Sequence, residues 1–119
     1  MPQQTVLVVE DEPLLLLSAM EMVEAGGFEA IGAADATAAV AILENRLDIC
    51  IVFTDVEMPR GIDGLRLAAL IRDRWPPIHV IITSGHSTPS QGSLPVDMMF
   101  FSKPYQEREV VAAMRKIAA

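Results

Sequence analysis

The stretch Val6-Leu7-Val8-Val9-Glu10-Asp11-Glu12-Pro13 runs four apolar residues directly into three carboxylates and a proline. A short apolar run bounded by turn-type residues reads as a buried strand, here Thr5 to Val9. Pro13 suits the first turn of a helix, where its missing N–H leaves no hydrogen bond unmade, and the helix extends to about Ala25 before Gly26-Gly27 closes it. A strand end thus carries a dense negative charge, and that charge needs a reason.

The rest of the chain repeats the same alternation. Phe28 to Ile31 reads as a second short strand, and Asp35 can cap a second helix through Ala36 to Asn45. Ile49 to Thr54 is a third, continuously apolar strand. After a loop from Asp55 to Asp63, a third helix begins near Gly64 and stops before Trp75-Pro76-Pro77, because proline disfavours helical geometry in the residue before it. His79 to Thr83 and Met98 to Ser102 make two more strands. Gln106 to Ala118 reads as a terminal helix with Val110, Val111, Met114 and Ile117 on one face. Strands that are apolar throughout, alternating with helices, indicate a parallel sheet covered on both sides, a doubly wound α/β domain of five strands. Between Gly85 and Asp97 the rhythm breaks: two prolines, a glycine and no helical apolar period argue against a full helix there.

With 119 residues, 51% of them hydrophobic, the chain has the size and composition of one compact domain spanning residues 1–119. No apolar run is long enough to cross a membrane as a helix, and Met1-Pro2-Gln3-Gln4 lacks the features of a signal peptide, so a cytoplasmic protein with no membrane partner is expected. A net charge of −7 without a basic stripe argues against direct nucleic-acid binding and suits a site that collects a divalent cation. The single cysteine, Cys50, lies within an apolar run and reads as a small core residue. His79 lacks partners for a histidine metal site, and the methionines read as scattered core filler.

In open parallel sheets, ligands bind beyond the carboxyl ends of the strands. The residues at those ends are Glu10 and Asp11 after the first strand, Asp55 after the third, Thr83 and Ser84 after the fourth, and Lys103 after the fifth. Carboxylates gathered this closely raise one another's pKa unless a cation and the lysine offset them. Oxygen donors in small number, completed by water and a phosphate oxygen, suit Mg²⁺ better than Ca²⁺ or Zn²⁺.

VLVVEDEP, FTDVEMP followed by IDG, IITSGH and FFSKPY resemble, in order and spacing over nearly the whole chain, the marker motifs of the receiver domain of two-component response regulators. The resemblance implies a flavodoxin-like sheet of order 2-1-3-4-5 and a regulatory phosphoacceptor rather than an enzyme in the ordinary sense, one that promotes its own phosphorylation and dephosphorylation. Asp55 matches the acceptor that takes a phosphoryl group from the phosphohistidine of a histidine kinase or phosphotransfer protein. Glu10 and Asp11 match the Mg²⁺-binding acidic pair, the backbone carbonyl of Glu57 would add a metal ligand, and Lys103 matches the lysine that pairs with phosphoryl oxygens. Ser84, rather than Thr83, takes the place of the switch hydroxyl, and Phe100 that of the aromatic that turns inward with it. Glu57 and His86 lie where the family tunes phosphoryl lifetime, although simple exposure explains them as well. The Lys103–Pro104 bond is expected to be cis.

Receivers meet their kinase through the first helix. Here Leu15, Ala19, Met22 and Val23 make a stripe that would face the core, leaving Leu14, Leu17 and Met20 for docking. The segment from Ser84 to Phe100 is about three residues, nearly one helical turn, shorter than in the usual receiver, so the family's fourth helix is expected to be short or replaced by a loop. Three rivals have different signatures. A haloacid-dehalogenase-type phosphohydrolase would carry its nucleophile after the first strand. A flavodoxin-like flavin binder would carry a glycine- and hydroxyl-rich phosphate loop where this chain has EDEP. The third is a degenerate receiver that binds partners without phosphorylation, against which the intact set Glu10, Asp11, Asp55, Ser84 and Lys103 argues and which chemistry alone can exclude. Whether the domain stands alone or is part of a longer regulator or hybrid kinase stays open, as does its cognate kinase.

Overall fold

The structure is a computed structural model that describes residues 4–57, 63–85 and 98–119. Its five strands are β1 (Thr5–Val9), β2 (Glu29–Ala33), β3 (Ile49–Asp55), β4 (His79–Ser84) and β5 (Met98–Ser102). They form one parallel sheet in the order β2-β1-β3-β4-β5, as the resemblance implies. Among the described residues four helices cover it: α1 (Pro13–Ala25), α2 (Ala36–Asn45), α3 (Gly64–Arg74) and α4 (Glu107–Ala118). None of these is long and apolar enough to cross a membrane. The expected loop or short helix before β5, and His86 with it, falls outside the described residues.

The sheet is apolar on both sides because successive side chains point to opposite faces and each face is roofed by helices. Leu7, Val9, Val52 and Ile82 pack with Ala39 and Leu43 of α2 and Leu67 and Ile71 of α3. Val6, Val8, Ile51 and Ile81 pack on the other face with Met22 and Val23 of α1 and Val110 and Met114 of α4. In β5 the same alternation sends Phe100 to the first side and Phe101 to the second.

Local chemistry sets the helix ends. Asp35 accepts a 2.8 Å hydrogen bond from the Ala38 N–H, and Asp63 accepts one of 2.9 Å from the Arg66 N–H, each satisfying a donor that the first turn leaves unpaired. α1 ends in a Schellman motif, with the Phe28 N–H on the Val23 carbonyl and the Gly27 N–H on the Glu24 carbonyl, while Gly27 takes the left-handed conformation at φ 97°. This turn delays β2 by one residue beyond the expected start, because Phe28 is used in closing the helix and packing into the core.

One expectation about α1 is corrected. Leu15 is not part of the buried stripe but 50% exposed, and Met20 is half-buried rather than fully outside, packing against the core together with Leu16. The cause lies in β2. A Cβ on Gly32 would stand 2.7 Å from Met20 Sδ and 3.3 Å from a Leu16 methyl, so the missing side chain opens a notch that draws these two inward. Leu14 and Leu17 remain outside, at 75% and 56% exposure.

Candidate phosphoacceptor site

The strand order reverses between β1 and β3, whose neighbours lie on opposite sides, and the crevice at such a point opens at the carboxyl ends of the strands. Glu10 leaves β1 there, with its N–H held by the Ala33 carbonyl at 3.0 Å. Asp55 is the last residue of β3 and pairs in register with Thr83. Glu10 and Asp55 are buried and Asp11 is exposed, and one carboxylate oxygen from each of the three falls within 4.8 Å of the others.

Lys103 enters from the far side of the sheet. Its N–H donates to the Ser84 carbonyl at 2.9 Å, continuing the β4–β5 ladder by one more bond, and this fixes the root of the side chain. Lys103 Nζ then donates to Asp55 Oδ2 at 2.8 Å and lies 3.9 Å from Glu10 Oε1. The Lys103–Pro104 peptide is cis, as the resemblance implies. The Glu57 N–H donates to Asp55 Oδ1 at 3.3 Å, so the two oxygens of Asp55 are engaged by different donors.

Ser84, the last residue of β4 and 3% exposed, donates its hydroxyl proton to Glu57 Oε1. Thr83 is buried too, and its carbonyl accepts from the Val56 N–H at 2.8 Å. Phe100 lies in register beside Ile82, partly buried against the α2–α3 core. A cavity of about 490 Å³ adjoins these groups, lined by Leu15, Ser18, Phe53, Asp55, Lys103 and Tyr105 among others.

The electrostatics follow from this crowding. Burial pushes Glu10 up to about 7, with the charges of Asp55 and Asp11 adding to it and Lys103 opposing. Burial also raises Asp55 above the usual carboxylate range, although the Lys103 hydrogen bond works against the rise. Burial pulls Lys103 down, but its hydrogen bond and ion pair with Asp55 prevail and leave it raised. Burial and charged neighbours together perturb each of these groups, a combination that marks the cleft as a candidate site.

The donor set fits a hard divalent cation. Glu10 Oε2 is buried and has no hydrogen-bond partner among the described residues, a costly arrangement for a carboxylate that a metal ion or its water would relieve. Glu10, Asp11 and Asp55 supply the oxygens at a spacing one ion can span.

One residue of the site escapes a reading of sequence patterns. Gly64, at the start of α3, has no room for a side chain: a Cβ would stand 2.1 Å from the Asp55 carbonyl oxygen. Its N–H also donates to the Val56 carbonyl at 3.1 Å. The helix therefore closes directly onto the backbone that carries Asp55, and the only sequence signal is the glycine of IDG at a helix start, where a capping residue alone is expected.

Comparison with known proteins agrees with this geometry. A response regulator receiver protein from Sinorhizobium medicae superimposes with a TM-score of 0.89 over 97% of this chain and 94% of its own, at 24% identity, a likeness of fold. The response regulator TrrA from Thermotoga maritima, solved in complex with Mg²⁺ and BeF, superimposes with a TM-score of 0.85 at 26% identity, covering 97% of this chain and 99% of that one. Among curated proteins, the transcriptional regulatory protein CpxR of Escherichia coli K12 is 30% identical over 94% of this chain and 48% of its own length. The sensor kinase CckA of Brucella abortus is 29% identical over 95% of this chain and 12% of its own. The chain therefore spans less than half the length of these curated relatives. The family model described as response regulator receiver domain matches residues 6–115, nearly the whole chain, and with the acid pocket standing where the strand order reverses, the protein belongs to the receiver domains of two-component response regulators.

Proposed function

We propose that Asp55 accepts a phosphoryl group from the phosphohistidine of a sensor histidine kinase or a phosphotransfer protein, in a Mg²⁺-dependent reaction. The observation that carries this reading is the Asp55 carboxylate held at 2.8 Å by Lys103 within reach of Glu10 and Asp11. An Asp55 oxygen attacks phosphorus, the phosphorus–nitrogen bond of the donor breaks, and the imidazole leaves with the bond's electron pair. Lys103 favours the ionised nucleophile, so no separate base is required, and its ammonium then faces the charge that gathers on the transferring oxygens. Glu10, Asp11, Asp55 and the Glu57 carbonyl would hold Mg²⁺, which when bound supplies positive charge opposite those same oxygens. Water attack on the aspartyl phosphate returns the domain to its starting state, with Glu57 and His86 as candidates for tuning that rate.

Phosphorylation adds charge and three acceptor oxygens. The Ser84 hydroxyl is the donor placed to meet them, and its movement would free space for the Phe100 ring, biasing the surface around β4 and β5. Residues 1–119 act as one receiver unit, alone or within a longer regulator or hybrid kinase. Leu14 and Leu17, exposed on α1, form the docking surface for the phosphodonor, with partly buried Met20 at most at its edge, while Leu15 of the same helix lines the cavity that reaches Asp55.

Intact mass after incubation with Mg²⁺ and acetyl phosphate tests the chemistry. One added phosphoryl group is expected in the wild type and none in Asp55→Asn or in the presence of EDTA. An adduct that survives in Asp55→Asn places the acceptor elsewhere, and no adduct together with no binding of beryllofluoride overturns the proposal.

A further inference from the structure

Ser84 and Glu57 carry an inference that rests on the phosphoacceptor reading and extends it. A serine hydroxyl has a single proton to donate. In this structure the Ser84 hydroxyl gives it to Glu57 Oε1, two residues past the acceptor aspartate. The same proton is what a phosphoryl oxygen on Asp55 would require, so the two hydrogen bonds exclude one another. We propose that the Glu57 carboxylate is a latch: it holds the Ser84 hydroxyl in the resting arrangement, and the switch turns only when the phosphoryl group outcompetes it.

The surroundings favour such an exchange. Ser84 is 3% exposed, so bulk water is a poor competitor for its proton and the choice lies between acceptors the protein supplies. The Glu57 backbone is tied to the acceptor, its N–H lying on Asp55 Oδ1 at 3.3 Å, which keeps its carboxylate beside the place where new negative charge will appear. Phosphorylation turns a single negative charge on Asp55 into nearly two, and the added repulsion acts directly on Glu57. Lys103, already bonded to Asp55, would be drawn to the phosphoryl oxygens and leave the repulsion on Glu57 unrelieved. One event therefore weakens the old hydrogen bond and offers the new one. The strength of the latch sets how much of each phosphorylated population has switched, a quantity distinct from the rate of phosphorylation.

A double-mutant cycle read by binding of beryllofluoride with Mg²⁺ tests this. Removing the Glu57 charge helps any anion bind, so a gain in Glu57→Ala alone decides nothing between a latch and simple repulsion; the coupling to Ser84 does. Glu57→Ala is expected to tighten binding about tenfold, since a charge-assisted competitor is lost, and only about twofold to threefold when Ser84→Ala is already present. Glu57→Gln, which keeps an acceptor for Ser84 but no charge, should fall between wild type and Glu57→Ala. The metal ligand contributed by position 57 is a backbone carbonyl and is common to all of these variants. Equal gains in the two Ser84 backgrounds overturn the latch while leaving the phosphoacceptor chemistry intact. Failure of the wild type to bind beryllofluoride with Mg²⁺ overturns that chemistry and the latch together.

Discussion

Glu10 offers a test of the site that requires no kinase. Burial and the charges of Asp55 and Asp11 hold its carboxyl at about 7, against 4.5 for the free side chain. Between roughly pH 4.5 and 7 the native protein therefore keeps a proton on Glu10 that the unfolded chain has released, and stability falls as pH rises through that window. Fully realised, the shift is worth about 3 kcal/mol. The mouth of the site is open beside exposed Asp11, so solvent screening reduces this to about 1–2 kcal/mol. Asp55, raised by burial, adds a slope of the same sign, whereas Lys103, raised from 10.5, contributes the same stability at pH 5 as at pH 8. Glu10→Gln should exceed the wild type by less than about 1 kcal/mol at pH 5, where folded Glu10 still keeps its proton, and by about 1–2 kcal/mol at pH 8 in EDTA. Mg²⁺ should reverse the order at pH 8, because the carboxylate that destabilises the protein without the ion is one of those proposed to hold it. Urea titrations at the two pH values, with EDTA and with Mg²⁺, provide all four comparisons. Wild-type stability that does not fall between pH 5 and pH 8 in EDTA, or a fall of equal size in the mutant, would refute the argument.

Gly64→Ala should cost about 3 kcal/mol or more in urea unfolding and slow acetyl phosphate labelling of the refolded protein, because its Cβ meets rigid backbone at the Asp55 carbonyl; wild-type labelling in a stable Gly64→Ala would show that α3 does not position the acceptor. Leu17→Asp should slow transfer from the cognate kinase while sparing labelling by acetyl phosphate, and equal loss of both would remove α1 as the docking surface. Asp35→Ala should cost about 1 kcal/mol through loss of the hydrogen bond to the Ala38 N–H, with the labelling rate unchanged; no change in stability would mean that α2 does not depend on its cap.

The elements were legible because the strands are largely apolar and three of the described helices are bounded by a residue with a local mechanism: Pro13 and Asp35 at starts, Gly26-Gly27 and Pro76 at ends. The acid pocket was legible for a related reason: Glu10 and Asp11 alone could be a solvated strand end, but with Asp55 and Lys103 at the ends of other strands of a parallel sheet they converge on one crevice. What sequence pattern does not carry is contact between distant segments. Four consecutive leucines in α1 have no helical period to say which of them turns inward, and the choice is made across the chain by the notch at Gly32. The hydrogen bonds from Arg115 to the Gly26 carbonyl, which hold α4 to the end of α1, join residues 89 apart in sequence. The contact between Ser84 and Glu57 is of the same kind: each residue is recognisable alone, and only folding shows that one holds the proton of the other.

The charge balance of the pocket favours a divalent cation beside the lysine. With Glu10, Asp11 and Asp55 ionised, Lys103 leaves a formal excess of two negative charges, the amount one divalent cation carries. Lys103 alone cannot supply the remedy, because its ammonium is committed to Asp55 at 2.8 Å, stands 3.9 Å from Glu10 Oε1, and leaves Glu10 Oε2 without a partner among the described residues. A second lysine would add charge but not the several short oxygen contacts that a small cation makes at once. A Glu10 carboxyl raised to about 7, chiefly by burial, is one whose proton a cation would compete with near neutral pH if the proposed site binds one. In the proposed reaction Lys103 and Ser84 would serve the phosphoryl oxygens while the acidic cluster would hold the ion, and Asp55 and Glu10, both within ion-pair distance of Lys103, join the two halves of the pocket.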